Sequence, residues 1–179
     1  MKIRSTTILG IRVGKKIALG GDGQVTLGDM QLKSKAIKVR EFDNGKVLAG
    51  FAGAAADAMS LFEKFEIKLD ETGGNLQRAV VEMAKDWRMD KILRELDALL
   101  AIMDKKYAFI LSGTGDVIEP DNNIISIGSG SGYAISAAKA FLKTGEKDPA
   151  KIVRDSLQIT ADLCIYTNDK ITVLGSKWK

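Results

Sequence analysis

The sequence contains no histidine and a single cysteine, Cys164. The first absence excludes Ser-His-Asp and Cys-His catalysis and most zinc sites. The second excludes an internal disulfide and any cysteine-rich metal cluster. Cys164 without histidine is a poor nucleophile and reads as a small buried apolar residue. Only two prolines occur, and aromatic residues make up 6% of the chain. No apolar run approaches the ~20 residues of a membrane span, and no secretory leader opens the chain, so the expected setting is the cytoplasm. If the protein is a hydrolase, its base must be a carboxylate, a lysine or an α-amine.

The 179 residues, 45% hydrophobic and 28% charged, suit one domain with a sizeable core. The net charge is +4. Basic residues cluster only at Lys33-Ser34-Lys35-Ala36-Ile37-Lys38-Val39-Arg40. No aromatic residue interleaves that run, so a stacking platform for single-stranded nucleic acid is not evident. A solvated basic face is the plainer reading, and no nucleic-acid partner is expected.

The first strand carries the strongest chemical signal. Thr6 and Thr7 follow the short leader Met1-Lys2-Ile3-Arg4-Ser5 and open the run Ile8-Leu9-Gly10-Ile11-Arg12-Val13. The β-branched start predicts a strand over 6–13. Removal of the leader would give Thr6 a hydroxyl and a free α-amine on one residue, which is a nucleophile with its own base. On chemistry alone Thr7 is a close rival. A second strand over 16–20 runs into Gly20-Gly21-Asp22-Gly23-Gln24, a tight turn that presents a carboxylate. The spacing of a phosphate-binding P-loop is missing there.

Further along, Val25 to Leu32 reads as extended. Asp43-Asn44-Gly45-Lys46 is a type I′ hairpin signal ahead of a buried strand over 47–51. Gly53 opens a helix with Ala55, Met59, Phe62, Phe65 or Glu66, and Leu69 on one face; N–H groups at such a start can form an oxyanion hole. Gly73-Gly74 breaks it, and Asn75 caps a helix with Leu76, Val80, Met83 and Trp87 inward. Strands follow over 99–103, 107–111 and 124–127. The loop Gly128-Ser129-Gly130-Ser131-Gly132 enters a helix over 133–143. Asp148-Pro149 starts the last helix, with Val153, Leu157, Thr160 and Cys164 inward, and a strand over 171–174 closes the chain. Helices in pairs and strands in hairpins predict an α+β four-layer αββα sandwich, with two antiparallel sheets packed together and a helix pair on each outer face.

Blocks along nearly the whole chain resemble the HslV (ClpQ) family, the proteasome-β-like peptidase subunits of bacterial two-component ATP-dependent proteases. They are Thr6-Thr7-Ile8, Gly20 to Gln24, Lys38-Val39-Arg40, Ala49 to Gly53, Ala56-Asp57-Ala58, Ala84 to Arg88, Ile127 to Gly130 and Cys164 to Asn168. The resemblance implies an N-terminal-nucleophile hydrolase fold over 6–179 behind a leader at 1–5. It implies Thr6 as nucleophile, Asp22 and Lys38 as its acid and lysine, Gly53 as oxyanion-hole donor and Ser129 as support for the N-terminal amine. It also implies a sodium ion on the backbone carbonyls of Ala161, Cys164 and Thr167, with Ala161 in place of the usual glycine. The implied partners are further copies of the chain in two stacked hexameric rings, an HslU-like (ClpY) AAA+ ATPase, and unfolded protein substrates. ATP would be used only by that partner, since the chain has no Walker motif. Ser5 before Thr6, the five-residue leader and the loop Gly-Ser-Gly-Ser-Gly-Tyr depart from the usual family pattern. A self-processing amidase working without an ATPase and a non-catalytic ring subunit are the alternative readings. Burial of Lys38 beside Asp22 would separate catalysis from a solvent-facing basic surface.

Overall fold

A computed structural model describes residues 6–53, 55–90 and 98–176, with backbone alone at 55–59. The expected leader, 1–5, and the side chains of Ala55 and Met59 lie outside the described residues. Strand β1 (Thr7–Val13) pairs antiparallel with β2 (Lys16–Gly21) on one side and β10 (Ile124–Gly128) on the other. With β11 (Thr172–Gly175) beside β2, they form a four-stranded sheet in the order β10-β1-β2-β11. The second sheet has the order β5-β6-β7-β8-β9, from β5 (Val39–Phe42), β6 (Val47–Ala52), β7 (Leu99–Met103), β8 (Ala108–Ser112) and β9 (Val117–Ile118).

The alternation within β1 shows how the layers arise. Ile8 joins Leu19, Val39, Leu48 and Met103 in the core between the sheets. Leu9 and Ile11 face the other way, against Ile152, Val153 and Leu157 of α4 (Pro149–Leu163). A strand covered on both faces must be apolar on both, which is why β1 lacks the simple polar–apolar pattern. Helix α3 (Ser131–Lys143) shares that outer layer through Ala134 and Ala138.

On the opposite side, α1 (Ala55–Glu71) and α2 (Leu76–Met89) cover the five-stranded sheet. Phe62, Phe65 and Leu69 of α1 are buried, so Phe65 rather than Glu66 belongs to its inner face. Phe62 and Phe65 both meet Phe42 edge to face, at 5.8 and 5.2 Å between ring centres. From α2, Leu76, Val80, Met83 and Trp87 point inward as their spacing predicts. The four-layer αββα arrangement is therefore the one expected from element order.

Local signals also hold. Asn75 accepts the Arg78 N–H at 3.1 Å, and Asp148 accepts from Ala150 at 2.9 Å, so each caps its helix. Asn44 and Gly45 both have left-handed φ, and the Lys46 N–H donates to the Asp43 carbonyl at 3.1 Å, as a type I′ turn requires.

Three expectations need correction. The segment 25–32 is a small hairpin, β3 (Val25–Leu27) with β4 (Met30–Lys33), turned at Gly28 with φ +60°. Helix α3 begins at Ser131 inside the glycine loop rather than at Tyr133, because positive φ occurs only at Gly128 there and 131–132 wind freely. Cys164 is buried as expected but caps α4 from outside; the helix ends at Leu163.

Candidate active site

The candidate residues gather at one end of the sandwich. The Ser129 N–H donates to the Thr6 carbonyl at 2.9 Å, which extends the β1–β10 ladder one step past the Thr7–Gly128 pair. Gly128 has φ +95°, and a Cβ there would lie 1.9 Å from the Thr6 carbonyl oxygen. Only glycine lets the two backbones meet at that point. Ser129 itself is exposed.

The continued ladder gives Thr6 and Thr7 opposite orientations. Thr6 shares the parity of Ile8, whose side chain lies between the sheets. Thr7 shares the parity of Leu9 and lies on the helix side, fully buried. Its hydroxyl is 2.7 Å from the Thr167 hydroxyl and accepts the Gly130 N–H at 3.0 Å. Thr7 therefore ties β1 to the start of α3 and to the turn after α4.

Asp22 follows directly on β2 and is fully buried. Its Oδ1 accepts the Thr7 N–H at 2.8 Å and the Lys38 ammonium at 3.0 Å. Its Oδ2 accepts the Gln24 N–H at 2.9 Å and the Asn168 N–H at 3.4 Å. Four donors converging on one carboxylate hold both its position and its orientation.

Lys38 immediately precedes β5 and is 2% exposed. Besides Asp22 it donates to the Gln24 carbonyl at 2.5 Å. Burial pushes the Lys38 ammonium below its ordinary value of 10.5, against the opposing pull of Asp22. Its neighbours Lys33, Lys35 and Arg40 are exposed, so the basic run divides into one buried lysine and a solvated face. The Lys38 carbonyl accepts the Phe51 N–H at 3.1 Å, and Gly53 ends the same stretch of β6 one residue after Ala52. Gly53 has φ +143°, a conformation that L side chains rarely adopt, at the entry to α1.

Asn168 was not singled out for a role by sequence reasoning, yet it braces the Asp22 turn. Its Oδ1 accepts the Gly23 N–H at 3.0 Å and its Nδ2 donates to the Ser34 carbonyl at 2.9 Å. It lies 145 residues from Gly23, so no local spacing reveals it. Gln24 was likewise passed over; its side chain reaches the Ile165 carbonyl at 2.9 Å.

At the end of α4, the Cys164 N–H closes on the Thr160 carbonyl at 2.8 Å and the Thr167 N–H on the Cys164 carbonyl at 2.9 Å. Helix termini leave their last carbonyls without intrahelical donors and carry partial negative charge. Ala161 lies in the last turn of α4, and Cys164 and Thr167 follow in the cap and the turn after it, so the three positions implied for a cation fall in one short segment. Among the described residues no cluster of acidic or sulfur side chains offers a metal site. Among them, too, no helix is long and apolar enough to cross a membrane.

The family model of the proteasome subunit matches residues 3–174. An ATP-dependent protease subunit HslV from Caldicellulosiruptor saccharolyticus is 53% identical over 171 residues, covering 95% of this chain and 97% of that relative. The crystal structure of a eukaryotic HslV from Trypanosoma brucei superposes with a TM-score of 0.88 at 42% identity, covering 94% of this chain and 98% of the other. A Thiobacillus denitrificans BPH in complex with epoxomicin shares the fold at 16% identity, with a TM-score of 0.73 over 97% of this chain and 99% of the other. The chain belongs to the proteasome subunit family, and within it to the HslV peptidases with their N-terminal-nucleophile sandwich.

Proposed function

We propose that the chain is the threonine-type peptidase subunit of a two-component ATP-dependent protease, with Thr6 as nucleophile once residues 1–5 are removed. The observation that carries this reading is the buried Lys38–Asp22 pair at the Thr6 end of the sandwich. A lysine held by a carboxylate out of water is not a surface for nucleic acid. A buried lysine with a lowered pKa beside one specific carboxylate marks a candidate functional site.

The α-amine of Thr6, with an ordinary pKa of ~7.7–8.0, accepts the hydroxyl proton at cellular pH. The Thr6 oxygen attacks the peptide carbonyl carbon, the leaving amine takes a proton, and an ester to Thr6 forms. Water then hydrolyses that ester and returns the hydroxyl. Lys38 stabilises the developing alkoxide, and Asp22 holds Lys38 in place. The Gly53 N–H serves the oxyanion, a contribution of roughly 3 kcal/mol for one such donor. Ser129 supports the amine. A sodium ion on the carbonyls of Ala161, Cys164 and Thr167 would stiffen the turn that carries Thr167 and Asn168.

Unfolded polypeptide is the substrate, delivered by a hexameric HslU-like ATPase to two stacked six-membered rings of this chain in the cytoplasm. The name of the Caldicellulosiruptor relative, an ATP-dependent protease subunit, supports the partner. The test is Thr6→Ala, followed by intact mass and cleavage of an unfolded protein with and without the ATPase. Loss of cleavage with assembly intact is expected. Undiminished cleavage by Thr6→Ala, or a mature protein beginning elsewhere than Thr6, would refute it. Hydrolysis of small amides without any ATPase, and no degradation of unfolded protein with it, would favour the amidase alternative.

A further inference from the structure

A cleft of about 430 Å³ opens at the far end of β1. Counting five residues from Thr7 to Arg12, it is about 17 Å along the strand from the candidate active site. The turn between β1 and β2, the loop before β10 and the last turns of α3 form its walls. Three cations line it, Arg12, Lys139 and Lys143, and no carboxylate does.

The arginine is half-used. Its Nε and Nη2 both donate to the Asn123 Oδ1, at 3.0 and 2.7 Å, which fixes the plane of the guanidinium. Its Nη1 is shielded from solvent, so the guanidinium acts on the cleft as a fixed positive charge rather than through that nitrogen. Lys139 and Lys143 stand one turn apart on α3, both exposed, and neither forms an ion pair among the described residues. That differs from Lys46, Lys68, Lys85 and Lys151, each of which has an acidic partner. The rest of the lining includes Val13, Ile124 and Leu142, an apolar wall.

We infer that this cleft is a binding site for a small organic phosphate, separate from the peptidase site. Three cations approaching from a strand and from two turns of a helix, with no carboxylate among them, favour a doubly charged anion over a singly charged carboxylate. The apolar wall takes the organic body, and the volume falls in the range of small-ligand sites.

Phenyl phosphate, inorganic phosphate and benzoate titrated calorimetrically into the assembled full-length protein at matched ionic strength test this. Saturable binding of phenyl phosphate is expected, at least tenfold tighter than benzoate and tighter than inorganic phosphate. The double variant K139A/K143A should weaken it at least tenfold, with peptidase activity unchanged. R12K, which keeps the charge and loses the fork on Asn123, should weaken it as well. Heats no larger than those of added sodium chloride, equal affinity for benzoate, or unchanged binding by K139A/K143A would each overturn the assignment. So would a high-resolution structure of the ring in which a neighbouring copy's carboxylate fills the cleft.

Discussion

Two adjacent threonines carry different duties. The Thr7 hydroxyl is committed to Thr167 and to the Gly130 N–H. Thr7→Val is isosteric but leaves that N–H unmet, so a loss of about 1–3 kcal/mol is expected. That should lower the melting temperature by several degrees, read by calorimetry, while the proposed nucleophile at Thr6 remains. Thr6→Ala should do the reverse, with cleavage lost and melting temperature nearly unchanged. Lys38 offers a test through pH. Its folded pKa lies below the ordinary 10.5. Between the two values the unfolded chain binds more protons, so this lysine's contribution to stability rises with pH there. It falls away as pH drops through the folded value. Urea unfolding of the wild type against Lys38→Met should therefore show a difference that shifts in favour of the wild type as pH climbs toward 10.5. A flat difference would mean that the lysine is not held in the buried pair. Much of this was legible in the sequence. The absence of histidine left amines and carboxylates as bases, and Asp22 stood out in its glycine-flanked turn. The bracing by Asn168 was not legible, because it depends on a contact across 145 residues, and local chemistry did not separate Thr6 from Thr7; only the family resemblance favoured Thr6.

The elements are held by signals that act locally. The Asp148 carboxylate caps α4 on two N–H groups. Asp148→Ala should cost about 1 kcal/mol, measurable by chemical denaturation, with little effect on cleavage chemistry. Gly53 is a different case. Its φ of +143° at the junction of β6 and α1 admits a side chain only with strain of about 1–3 kcal/mol. Gly53→Ala should lower kcat far more than it raises KM, since it turns the proposed oxyanion donor away. Parity, caps and the I′ turn could be read from residue types because each depends on neighbours within four positions. The hairpin over β3 and β4 could not. Met30-Gln31-Leu32-Lys33 does alternate apolar and polar, but Gly28-Asp29 is a weak turn signal, so nothing local separated a return strand from one continuous extended segment, and β4 is exposed along its whole length. The start of α3 was missed for a similar reason, since serine and glycine carry little helix preference.

For the molecule as a whole, the order of helix pairs and strand hairpins was enough to predict the layers. What it did not reveal is which surfaces are finished. Leu163 and Ile165, at the end of α4 and just beyond it, are 60% and 80% exposed. Native mass spectrometry of the full-length protein should give a twelve-copy particle if the proposed double ring forms. Leu163→Asp with Ile165→Asp tests whether this apolar patch takes part in assembly. A smaller particle with a folded chain is the expected result.

The opposite facing of Thr6 and Thr7 has a consequence for the proposed removal of residues 1–5. A β-strand has a period of two, so trimming the chain one residue too far does not merely shorten it. It exposes a second threonine whose hydroxyl lies on the helix side of the sheet, held by Thr167 and the Gly130 N–H at the start of α3. The reading frame of the cut is thus binary, and the sheet checks it. A form made to begin at Thr7 should carry a free N-terminal threonine, fold, and cleave nothing.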